Sequence, residues 1–172
     1  MGLSQAEMPG STPAAQIREE SELEHFAMLQ GVSAAARREL LKSTTRRELA
    51  VGEALITQGA PSSAMYFVLA GELGVLLNDL HAEPIAIIGA GETVGELALL
   101  NEASSSAYVI ARTACSLLAL GEDDFWSFTQ ASHAFAINLL VKLAERLRAN
   151  NTTVSTNIER SEERRVGKEC RL

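Results

Sequence analysis

Gly91-Glu-Thr-Val-Gly-Glu-Leu-Ala-Leu-Leu100, followed by the small polar run Asn101–Ser106 and then by Ala107-Tyr-Val-Ile-Ala111, decides how the rest of the chain is read. Two glycines four apart frame an acid, and Gly95 lets the backbone turn sharply and be approached closely. Leu97 to Leu100 can then form about one helical turn, whose first N–H groups lack intrahelical partners. Such a helix start suits an anion, above all a phosphate. Glu96 beside it is odd for a phosphate but apt for a sugar hydroxyl, since a carboxylate only accepts hydrogen bonds. Phosphate plus ribose points to a nucleotide.

Gly95-Glu-Leu-Ala-Leu-Leu100 with Ser105-Ser-Ala-Tyr-Val109 resembles the phosphate-binding cassette of the cyclic nucleotide-binding domain, the sensor of catabolite-activator-type regulators, cyclic-nucleotide-dependent kinases and gated channels. The resemblance runs from about Phe26 to Val154, with Gly52-Glu53, Gly59, Tyr66-Phe-Val-Leu-Ala-Gly71 and Ala111-Arg-Thr-Ala-Cys-Ser116 in comparable places. It implies a jelly-roll pocket and cyclic AMP or cyclic GMP as a regulatory ligand, with no catalytic cofactor. Residue by residue, it implies that Glu96 accepts a hydrogen bond from the ribose 2′-hydroxyl and that Gly95, Leu97 and Ala98 contribute backbone N–H groups. Ser106 matches a position whose small side chain contacts the phosphate, and Asn150 and Asn151 match helix positions that touch the purine edge.

One position departs from the family pattern. Ser105 stands where the family usually has an arginine, so a short hydroxyl replaces a guanidinium able to form a bidentate, charge-assisted pair. No Lys or Arg nearby in sequence replaces it, because Arg112 lies seven residues on and successive strand residues face opposite ways. Hydrogen bonds to charged groups contribute about 1.5–3 kcal/mol each, so a micromolar site could fall to millimolar.

The remaining chain fits a mainly β fold with flanking helices, an antiparallel β-roll followed by a long dimerisation helix. With 172 residues and 47% hydrophobic content it supports one domain with a core, plus a tail. Met1 to Gln16 is rich in Ser, Pro, Ala and Gly and is read as a disordered leader, 1–16. A roll with N-terminal helices is expected over 17–131 and the long helix over 132–159. The first helical spacing covers Glu20 to Leu29, and Ser33 caps a second helix from Ala34 to Leu41, with Arg37, Arg38 and Lys42 facing outward. Strands are expected at Arg46–Leu49, Ala54–Thr57, Ala64–Ala70, Glu72–Leu77, Pro84–Ile88, Tyr108–Arg112 and Ser116–Leu120. Gly121-Glu-Asp-Asp124 opens another helix with acids in its first turn, and Ser132 caps the long one. There Ala136, Leu140, Leu143, Leu147, Asn150 and Val154 form a heptad seam suited to a homodimer, while Phe135 and Leu139 turn towards the roll.

Charge and composition exclude several classes. The net charge of −7, with no basic cluster before residue 159, argues against nucleic acid or an anionic membrane as partner. Arg160 to Leu172 resembles the translation of a DNA sequencing adapter and is read as a non-native tail, 160–172. Without it 10 basic and 19 acidic residues remain, a net −9. There is no bilayer-length apolar run or signal peptide, two separated cysteines and no metal-ligand grouping, so a cytoplasmic protein is expected. No nucleophile–base pair appears, and the chain is not expected to be an enzyme. The leading expectation is a sensor that signals, about a hinge near Gly121, to an output domain outside this chain, either DNA-binding or making a second messenger. The alternative is a ligand-free dimerisation and interaction module.

Overall fold

A computed structural model describes residues 22–80, 82–101 and 104–148. The expected leader, the adapter-like tail, Asn150 and Asn151 lie outside these residues. Two four-stranded antiparallel sheets face each other, ordered β1-β8-β3-β6 and β2-β7-β4-β5. The strands are β1 Thr44–Leu49, β2 Ala54–Ile56, β3 Ala64–Ala70, β4 Leu73–Leu76, β5 Ala86–Ile88, β6 Thr93–Val94, β7 Tyr108–Ala111 and β8 Cys115–Gly121. Helices α1 (Ala34–Ser43), α2 (Glu96–Asn101) and α3 (Glu122–Ala131) accompany them, and a fourth helix, α4, runs over 133–148.

The sheet containing β3 and β8 is buried on both faces, which explains the near-continuous apolar runs of these two strands. On one face Met65, Phe67, Leu118 and Leu120 join Phe26, Leu40, Phe125, Phe135 and Leu139 in a core beneath the helices. On the other, Val68 and Leu117 meet Val75, Ile88 and Val109 of the second sheet. Edge-to-face rings knit the helical side together, Phe26 on Phe67 at 5.3 Å and Phe128 on Phe135 at 5.0 Å.

Three expectations need correction. The helix expected over Glu20–Leu29 is not continuous among its described residues: Glu22 and Leu23 are helical, but Phe26 is extended and a 3-10 turn occupies Ala27–Leu29. Leu23, Phe26, Met28 and Leu29 are all buried, and those four positions do not share one helical stripe. Arg37 does not face outward: its guanidinium donates to Val32 O at 2.7 Å and to Glu24 at 3.0 Å, strapping the start of α1. Strand β6 was not foreseen, since only Thr93 and Val94 pair, opposite Phe67 and Tyr66.

Both predicted serine caps are present. Ser33 Oγ accepts from Ala36 N at 3.2 Å, and Ser132 Oγ accepts from Phe135 N at 3.3 Å. Helix α4 is fixed to the roll by buried Phe135 and Leu139 and by Asn138, whose side-chain amide donates to Met28 O and Gln30 O at 3.0 and 2.8 Å. Along its other face Ile137, Leu140, Val141 and Leu147 are exposed.

Candidate functional site

The site begins where β6 runs into α2. Gly95 has φ +97°, and a Cβ there would lie 2.6 Å from Ala64 O, so glycine is required for both conformation and space. Glu96 follows with a side chain that is 0% exposed. A carboxylate so placed needs partners, and α4 supplies them. Arg146 Nη1 approaches Glu96 Oε1 at 2.8 Å and Lys142 Nζ approaches it at 3.1 Å. Lys142 Nζ also donates to Thr93 O and Thr93 Oγ1. The corner that carries the nucleotide-type motif is thus tied to the long helix by two cations. Burial pushes the Lys142 ammonium below its ordinary value, an effect the Glu96 carboxylate opposes. Glu96 Oε2 is buried with no hydrogen-bond partner among the described residues.

Ser105 closes the opposite side. Its N donates to Ala60 O at 2.9 Å and its O accepts from Gly59 N at 2.8 Å, which holds the segment before β7 against the Gly59 turn. The residue is only 7% exposed, and its Oγ has no hydrogen-bond partner among the described residues. Ser106 is exposed. Between these serines and Gly95, Leu97 and Ala98 lies a cavity of about 60 Å³, lined also by Val75, Val109 and Arg146. Five of the eight residues expected at the site therefore line one cavity, and Glu96 adjoins it through its pair with Arg146.

A larger cavity, about 470 Å³, lies on the far side of Arg146, between Met28, Ile87, Ile88, Thr93 and the α4 residues Asn138, Val141 and Lys142. Volume alone would favour it. The smaller cavity has the convergent chemistry, namely a buried hydroxyl without a partner, the α2 start and a cation. Arg112 lines neither; it sits with Gly74 and Ile110 on the outer face of the second sheet, as strand alternation requires.

Lys142 and Arg146 escaped the sequence reading, which found no cation to replace the missing arginine. A signal was present. Asn138, Lys142 and Arg146 are spaced four apart, a polar stripe on one face of a helix, and all three turn towards the roll. The apolar heptad on the same helix drew the reading to the opposite face. Among the described residues there is no group of three or more His, Cys, Asp or Glu able to hold a metal ion. Nor is any helix there long and apolar enough to cross a membrane.

Comparison with known proteins identifies the family. Over 105 residues the chain is 33% identical to the Cyclic AMP receptor protein of Thermus thermophilus, covering 60% of this chain and 49% of that protein. It is also 34% identical over 142 residues to Glutaminase 1 of Bradyrhizobium diazoefficiens, covering 80% of this chain but 23% of that protein. The chain thus spans half or less of the length of these relatives. Among solved structures, the Thermus thermophilus Catabolite Activator Protein superposes with a TM-score of 0.68 at 28% identity, covering 75% of this chain and 62% of that one. The family model for the cyclic nucleotide-binding domain matches residues 46–132, from the third residue of β1 to the residue after α3. The chain belongs to the cyclic nucleotide-binding domain family.

Proposed function

We propose that this chain is a regulatory sensor that binds a cyclic nucleotide, cyclic AMP or cyclic GMP, or a related small anion, in the cavity between Gly95–Ala98 and Ser105–Ser106, and signals through α4. The observation that carries this reading is Arg146, which lines the cavity and at the same time pairs with Glu96. Ligand pockets measure roughly 300–1,000 Å³, against about 60 Å³ here. In this reading the nucleotide enlarges the cavity by shifting the distal part of α4, and that shift is the signal. In this reading residues 17–131 form the sensing roll and 132–159 the output helix. The exposed Leu140 and Leu147 take part in a homodimer through it. The protein works in the cytoplasm without contacting nucleic acid or membrane through this segment.

The chain itself is not the enzyme or the DNA-binding element. Its relatives include a cyclic AMP receptor and a glutaminase, each much longer than the matched part. The output joined to this roll is thus open to both a transcription-regulator-like and an enzymatic partner domain.

The test is thermal denaturation and isothermal titration of the chain with cyclic AMP, cyclic GMP and cyclic di-GMP. A melting temperature that rises with ligand, together with a saturable heat, supports the sensor. No shift with any of them favours the second reading, a ligand-free dimerisation and interaction module, for which the exposed face Ile137, Leu140, Val141 and Leu147 is the supporting observation.

A further inference from the structure

We propose that Arg146, delivered from α4, is the cation that receives the ligand's phosphate, taking the place of the arginine that position 105 lacks. The inference rests on the sensor reading above and names the residue on which binding turns.

Three observations lead to it. First, Arg146 lines the small cavity together with Gly95, Ser105 and Ser106, so the residue already borders the space that a phosphate seated near Ser105 would enter. Second, Ser105 Oγ is buried and unpartnered among the described residues, and a hydroxyl in that condition lacks the hydrogen bond that a phosphate oxygen would accept from it. Third, among the described residues the guanidinium donates only through Nη1, to Glu96. A guanidinium carries five N–H donors, and the residue keeps 38% of its side-chain surface exposed, so it has the freedom to turn.

The exchange follows from charge. Glu96 is fully buried and is held by two cations, Lys142 and Arg146. A single phosphate negative charge at Ser105 competes with Glu96 for Arg146, while Lys142 stays on Glu96 and Thr93. Glu96 then has a freed lone pair on Oε1, besides the unpartnered Oε2, for a sugar hydroxyl. Arg146 thus both occupies the empty-handed carboxylate before binding and reads the phosphate after it. Because it sits on the signalling helix, the transfer moves that helix, which an arginine fixed at position 105 on the roll would not do by itself.

The experiment is titration of the full chain and its variants with cyclic AMP and cyclic GMP, with circular dichroism and melting as a check on folding. Arg146→Gln is expected to weaken binding about 10- to 150-fold, the range for loss of a charge-assisted hydrogen bond, and Ser105→Arg in that background to restore it. Arg146→Lys, which keeps the charge and so spares the Glu96 pair, is expected to lose several-fold because the planar fork is gone. If Arg146→Gln fails to fold, the Arg146→Lys comparison decides, and an affinity equal to wild type overturns the proposal. So does a folded Arg146→Gln that binds as well as or better than wild type, which would make Arg146 only a lock on Glu96 while the sensor reading stands. Silence of the wild type towards both nucleotides overturns the sensor reading and this inference together.

Discussion

The two halves of α4 are held to the same roll by different physics. Near its start Phe135 and Leu139 are sunk in the core with Phe125 and Phe128, and Ser132 caps the first turn. Two turns later the contacts are Lys142 and Arg146 on one buried carboxylate. Apolar burial is non-directional and insensitive to a passing ion. An ion pair can be surrendered to a competing charge within the same site. In the sensor reading proposed above, such a helix yields at its latched end, beyond Leu139, while its start stays in the core. The expected hinge at Gly121 falls at the N-cap of α3, one helix earlier.

Replacing Phe135 with Ala strikes the anchored half and is expected to have the largest effect. The ring is fully buried between Phe125 and Phe128, so the loss is about 3–5 kcal/mol in global stability. Denaturant unfolding measures it. If only the distal helix loosens while the roll melts unchanged, α4 is not anchored where the packing places it.

Gly95→Ala tests the corner on which the latch closes. At φ +97°, with a Cβ driven to 2.6 Å from Ala64 O, the cost is about 1–3 kcal/mol in strain. Displacement of Glu96 is expected to accompany it. A variant as stable as wild type would mean that the corner gives way easily and does not position the carboxylate.

Much of this architecture was legible because it is local. Gly95–Leu100, the Ser33 and Ser132 caps, and seven of the eight strands are each announced by residues within a few positions of one another. The pairing of the strands was not legible, because the orders β1-β8-β3-β6 and β2-β7-β4-β5 mostly join strands far apart in sequence. What could not be read is the contact between Glu96 and Arg146, fifty residues apart in sequence. A glutamate beside a glycine looks like a turn carboxylate, and nothing in the sequence tells that it is fully buried. Arg37 misled in the same way, since its partner Glu24 lies in a stretch where the backbone is not the expected helix. Strand β6 was too short to show any alternation. Ser105 was legible as a departure, yet its burial follows from backbone bonds to Gly59 and Ala60, which no spacing rule encodes.

Glu96→Gln strikes the latched half. Breaking a fully buried pair costs about 3–5 kcal/mol, but Lys142 and Arg146 are 26% and 38% exposed and regain water, so about 1–2 kcal/mol is expected. The sharper readout is hydrogen exchange. Amides over 141–148 should exchange faster while those around Phe135 stay protected. Uniform acceleration along the whole helix would erase the distinction between its two ends.

The smallest expected effect is a pH dependence. Lys142 faces Glu96, Glu92, Thr93 and Arg146, and burial, more than these charges, sets the direction of its shift, below the ordinary value of 10.5. In the window between the folded-state value and 10.5 the unfolded chain holds more protons than the folded one, so stability rises with pH there. The penalty of the buried ammonium is fully present below that window and disappears as the pH climbs through it. Lys142→Gln removes this contribution, so the stability of wild type minus that of the variant should grow as the pH is raised from 7 towards 10.5. The two proteins differ only at position 142, so every contribution they share cancels in the difference to first order. A difference that stays flat or shrinks would show that the ammonium is as well solvated in the folded chain as in the unfolded one. The distal half of α4 would then be a solvated surface pair rather than a latch.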